Sequence, residues 1–250
     1  REDLRLAGLL GLACALATVA LFPYLQLVMP EALAKLPVSL PVIVAAQSAQ
    51  ALLLLGLLAF CGLRMGHRVG LGAPWLRALV FRRERVAQPW LLAAACGVAA
   101  ACVVVGMDPL FASYMPAPLQ PLPAASSQAH ALAGFFASFY GGIAEEVQLR
   151  LFFVTLLAWG LCLLSSGHRQ RWHLVFAVLV AAIAFGAGHL PAAAKVWPLD
   201  TVVVTRTLLL NGIAGLVFGW FYVRHGLESA MLSHFCADLV LHVAAPLAMG

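Results

Sequence analysis

Ala133–Leu161 reads AGFFASFYGGIAEEVQLRLFFVTLLAWGL, an apolar run broken by two adjacent acids, Glu145 and Glu146, and by Arg150 four residues after the second. A helix that crosses a bilayer needs about 20 mostly apolar residues, and this run is long enough. Ionisable side chains inside such a helix are costly, so they mark paired or functional groups. The rest of the chain points the same way. Its 250 residues are 63% hydrophobic and 10% charged, where a soluble domain carries about a quarter charged residues. Mean hydropathy is +0.96.

Working outward from that run, spans are expected at roughly 6–28, 39–63, 90–107, 132–164, 173–190, 202–223 and 229–248. The expected fold is all-α, a polytopic integral membrane bundle of about seven transmembrane helices, with residues 1–250 as one domain. The first span follows Arg1 and Arg5 but is too long for a signal peptide and lacks a small-x-small exit, so it reads as a retained anchor. The fourth is too long for one perpendicular crossing, and Gly141-Gly142 is the expected bend.

Loop charges alternate. Arg1, Arg5, Arg64, Arg68, Arg77, Arg82, Arg83, Arg85, Arg169, Arg171 and Arg224 fall in one set of loops, and only Lys35 and Lys195 in the other. This bias predicts a cytoplasmic N-terminus and an external C-terminus, in a bacterial inner (plasma) membrane. The formal charge of +5 therefore reflects membrane orientation, and no nucleic-acid partner is expected. Residues 74–86 (PWLRALVFRRERV) read either as a short helix on an anionic surface or as a plain basic loop. Residues 108–130, rich in Pro and Ala, read as an external loop. Cys14, Cys61, Cys96, Cys102, Cys162 and Cys236 form no C-x-x-C pair and read as small buried hydrophobes.

Glu146 and Arg150 stand at i, i+4, where side chains meet. Glu145 lies about 100° around the helix from Glu146, so the two acids are expected to face different partners. One division makes Glu146 structural and Glu145 a free general base; the other places both in one fold-stabilising network. His189 lies at i+4 from Phe185, and Asp238 at i+4 from His234. An Asp beside a His fixes its tautomer, and the pair can also bind a divalent metal. Glu, His, His and Asp from three helices suffice to activate water, with or without a metal such as Zn. Helix counting raises one conflict: His189 falls near the outer end of span five and His234 near the inner end of span seven, some 10–20 Å apart in depth at about 1.5 Å per residue. Arg206, Asn211, Gln47 and Gln50 read as interhelical hydrogen-bonding residues, and Gly215 with Gly219 as a close-packing face.

Three motifs in order, E145-E146-x-x-x-R150, F185-x-x-x-H189 and H234-x-x-x-D238, resemble those of the CPBP family, the CAAX-prenyl-protease and bacteriocin-processing (Abi) intramembrane proteases. The resemblance runs from Gly134 to the C-terminus, so residues 131–250 would be the catalytic core and 1–130 variable N-terminal helices. It implies endoproteolysis at or in the membrane. Glu145 would activate water, Glu146 and Arg150 would support it, and His189 and His234 would polarise the carbonyl or stabilise the oxyanion. Any metal would sit among Glu145, His189, His234 and Asp238, since the family has been described both as metalloproteases and as metal-free glutamate proteases. Asp238 stands where eukaryotic prenyl-protein proteases have Asn; an ionised Asp cannot donate to an oxyanion, so it would orient His234 or hold a metal, or would have to be protonated. The implied partners are membrane lipid and a peptide or protein substrate, prenylated or bearing a leader or sorting segment. Two other readings compete: a non-catalytic immunity or scaffold protein of the same fold, and a proton-coupled transporter. The complete acid and histidine set argues against the first, and the lack of an internal repeat against the second.

Overall fold

Without water to satisfy backbone polar groups, a chain inside a bilayer must close its hydrogen bonds within helices. The computed structural model describes residues 1–84, 86–119, 126–165 and 167–249, and it is helical throughout, with no strand among them. The helices are α1 (Glu2–Val28), α2 (Pro30–Ala34), α3 (Leu40–Val69), α4 (Pro74–Val80), α5 (Trp90–Met107), α6 (Pro109–Ala112), α7 (Ser127–Phe139), α8 (Thr155–Leu164), α9 (Arg171–Gly188), α10 (Leu190–Val196), α11 (Thr201–His225), α12 (Leu227–Leu239) and α13 (Ala245–Met249). Among the described residues, seven helical runs are long and apolar enough to cross a membrane. The protein is an integral membrane helical bundle.

At the expected bend, Gly141-Gly142, the helix turns π-helical. Two π-helical stretches, Tyr140–Glu145 and Val147–Val154, carry α7 into α8 without a break. The resulting span, Ser127–Leu164, has 38 residues. At about 1.5 Å per residue that is up to about 57 Å, against a hydrocarbon core of about 30 Å, so it must tilt or protrude.

Charges clasp the two ends of the bundle. At one end Arg77 pairs with Glu2 at 3.0 Å and with Asp3, His67 reaches Asp3 at 2.9 Å, and Arg83 reaches Glu2 at 2.7 Å. This joins the start of α1 to the end of α3 and to α4, which is a helix rather than a plain loop; Arg85 lies outside the described residues. At the other end Arg206 of α11 meets Asp108 at 2.6 Å and lies over Trp197 at 5.6 Å. Asn211 departs from expectation: its amide donates to the Thr207 carbonyl of its own helix at 2.8 Å. Gln47 and Gln50 are exposed on α3. Of the segment read as an external loop, residues 120–125 lie outside the described residues, and Leu119 N–H donates to the Val196 carbonyl at 2.7 Å. All six cysteines are free; Cys14 and Cys162 are buried, but Cys102 is exposed on α5.

Close backbone approach positions α12. Gly97 of α5 lies against the Ser233 carbonyl, and Gly134 of α7 against the His242 carbonyl, with no room for a Cβ at either. Gly215 and Gly219 of α11 pack on Ala182 and Val178 of α9. Small residues let membrane helices approach this closely.

Candidate active site

Glu146 stands between the two π-helical stretches and is fully buried; Arg150, one turn on, is equally so. Arg150 Nη1 is 2.9 Å from Glu146 Oε1, Nη2 donates to the Gly215 carbonyl at 3.1 Å, and the guanidinium lies over the Phe185 and Phe218 rings at 5.0 and 5.3 Å. Glu146 Oε2 and Arg150 Nε have no hydrogen-bond partner among the described residues. The pair is therefore held by charge and by the aromatic walls, not by a bidentate fork.

His234 is buried against Phe218, stacked at 4.3 Å with 16° between planes, and meets the edge of Phe185 at 5.5 Å. A carboxylate only accepts, so His234 donates through Nδ1 to Glu146 Oε1 at 2.8 Å, and Nε2 is left for other partners. Nε2 lies 3.8 Å from Glu145 Oε2 and 3.6 Å from Asp238 Oδ1. Both glutamates thus meet one residue, contrary to the expectation of different partners. The reason is that an imidazole has two nitrogens, and each acid addresses its own. Glu145, at 25% side-chain exposure, is the open acid; among the described residues His234 is its sole ion-pair neighbour.

Gly141 makes this crowding possible. A Cβ there would collide with the Asp238 carboxylate and stand 3.0 Å from His234 Nε2. Histidine 242, which the sequence reading passed over, extends the array: its Nε2 is 4.0 Å from Asp238 Oδ1. His234, Asp238 and His242 recur every four residues, a spacing visible in the sequence. Tyr24 of α1 meets the His242 ring edge-on at 5.5 Å, and nothing in the sequence pointed to it.

His189 is near but apart. It caps α9 and donates from Nδ1 to the Phe185 carbonyl at 2.8 Å. Its ring meets the Phe185 ring at 4.8 Å, so one phenyl ring links it to His234. The depth conflict from helix counting is bridged there, yet among the described residues His189 makes no ion pair with either glutamate. The expected metal set of Glu145, His189, His234 and Asp238 is not assembled. No group of three or more His, Cys, Asp or Glu side chains among the described residues is arranged to hold a metal ion. His189 and His234 each use Nδ1 on a protein acceptor, and the Phe185 ring contacts both.

Residues 127–240 match the family model for type II CAAX prenyl endopeptidases, Rce1-like. No curated protein and no solved structure matches the chain. The matched segment holds Glu145, Glu146, Arg150, Phe185, His189, His234 and Asp238, and stops short of His242. Over residues 127–240, from α7 into the π-helical turn after α12, the chain is similar to the Rce1-like family of type II CAAX prenyl endopeptidases.

Proposed function

We propose that the protein is an intramembrane endopeptidase in which Glu145 activates water for attack on a peptide bond. The observation that carries this reading is the pair of gaps around His234 Nε2, 3.8 Å to Glu145 and 3.6 Å to Asp238. Polar atoms this far apart are not bonded directly, and in this reading a water enters beside both Glu145 Oε2 and His234 Nε2. Glu145 takes one proton from that water, and the oxygen attacks the scissile carbonyl carbon. The oxyanion is met by His234 when Nε2 carries a proton, with Glu146 on Nδ1 steadying the ring. The tetrahedral species collapses as Glu145 returns the proton to the departing amine. Fixed dipoles in a water-poor site act more strongly than they would in bulk water. In this reading Glu146 and Arg150 hold the ring and the helix, Asp238 orients His234, and His189 polarises the substrate carbonyl or stabilises the oxyanion.

Substrates of this reading are peptides that reach the bilayer, a prenylated C-terminus foremost. The loop charges favour a cytoplasmic N-terminus in a bacterial inner membrane. The test is cleavage of a quenched fluorogenic farnesylated peptide by the protein in nanodiscs. Glu145→Gln, which keeps the shape and removes the base, is expected to lower kcat by about 100-fold or more with the melting temperature unchanged. Full activity in that variant overturns the mechanism.

A further inference from the structure

The end of the bundle where α3 and α11 finish holds a second cavity, of about 420 Å³. Its lining carries His67, Arg77, Arg224 and His225 and no carboxylate, beside apolar walls such as Leu71 and Val86. The rim is fixed. Leu227 N–H donates to the Gly72 carbonyl at 2.9 Å, and Ser229 hydroxyl donates to Gln88 at 2.6 Å. Arg77 is held in place by Glu2 and Asp3. Arg224 is exposed and forms no ion pair among the described residues. Trp75 and Trp90 pack edge-on at 5.6 Å where α4 meets the start of α5, the kind of aromatic pair found at a membrane–water interface.

A simpler account is that these basic residues offset the carbonyl ends of α3 and α11. Each helix end carries only about half a negative charge. With Glu2, Asp3, Glu84 and Glu228 added, about five negative charges stand against Arg64, Arg68, Arg77, Arg82, Arg83, Arg169, Arg171 and Arg224 at this end, and about three positive charges remain. The volume also lies within the range of about 300–1,000 Å³ typical of ligand sites.

We propose that this cavity binds the phosphate headgroup of an anionic phospholipid, with Arg224 as its free cation, Arg77 as a preorganised one, and the apolar wall taking the first carbons of the acyl chains. This assignment does not depend on the protease reading.

The test uses the full chain in nanodiscs of phosphatidylcholine with a minor fraction of phosphatidylglycerol, released into native mass spectrometry. Wild type is expected to retain phosphatidylglycerol selectively. Arg224→Glu is expected to lower that retention about tenfold or more, and Lys35→Glu, at the opposite end, to leave it unchanged. Arg224→Gln serves if the charge reversal does not fold, with a smaller loss of the same sign. Equal retention in Arg224→Glu and wild type, equal loss in Lys35→Glu, or equal retention of phosphatidylcholine overturns the proposal. Displacement by soluble glycerol 3-phosphate without discrimination between lipids assigns the site to a free phosphate and overturns the lipid.

Discussion

Replacing Arg150 by Met keeps most of the side-chain length and removes its charge. The two partners are buried, at 1% and 0% side-chain exposure, and 2.9 Å apart. In the variant Glu146 keeps only His234 Nδ1, and the Gly215 carbonyl loses its 3.1 Å donor. Stranding one member of a buried ion pair costs about 3–5 kcal/mol. For a chain of this size each kcal/mol lowers the melting temperature by about 2–4 °C, so a fall of roughly 6–20 °C is expected in nanodiscs. The double variant Glu146→Gln/Arg150→Met removes both charges and retains an acceptor for His234; it should recover most of the loss, because a neutral pair leaves no uncompensated charge behind. Thermal unfolding of the three proteins decides the matter. A single variant within 2 °C of wild type, on the same scale of about 2–4 °C per kcal/mol, or a double variant no better than the single, refutes the argument.

Glycine 141 and glycine 97 separate function from fold. Gly141→Ala drives a methyl against the mobile end of Asp238 and toward His234, so activity on the farnesylated peptide should fall about 100-fold, the effect of a displacement near 1 Å, while stability holds. Gly97→Ala drives a methyl into the Ser233 backbone, so stability should fall by about 1–3 kcal/mol; the reverse pattern in melting and rate measurements would contradict the packing. His242→Phe keeps the ring against Tyr24 and removes the nitrogen near Asp238, so kcat should fall about tenfold, as for other partners that orient a site group, with KM unchanged. His242→Gln should restore much of it, and a failure of rescue would make His242 a packing residue.

Much of this site is written in the sequence at a spacing of four. Glu146 with Arg150 and His234 with Asp238 each lie on one helical face, a relation that survives local distortion of the helix. Asn211 shows the limit of such reading: its amide found an acceptor within its own helix, so a polar residue in an apolar span did not require a partner across the bundle. The contact of His189 with Phe185, four residues before it, was legible; its position relative to His234 was not, because α9 packs on α11, with Gly215 on Ala182, and that packing has no signal in the sequence. His242 was legible at the same spacing, four residues after Asp238. The π-helical stretches have no signal of their own. They lie where Gly141 packs against Asp238 and His234 and where Arg150 is buried, and their wider turns stand in competition with the i→i−4 ladder.

That competition bears on why two consecutive acids serve one imidazole. In a regular helix, neighbours about 100° apart diverge, and a ring placed to bond one would be out of reach of the other. Here Glu146 lies at the junction of two widened turns, and Gly141, one turn before, lets His234 sit close against the backbone. The ring edge then faces the helix with both nitrogens accessible, Nδ1 to Glu146 at 2.8 Å and Nε2 to Glu145 at 3.8 Å. The short contact fixes the ring, and the long one is not a direct hydrogen bond. In a regular helix without the glycine, a ring bonded to one acid would leave the other out of reach, and no single imidazole would meet both.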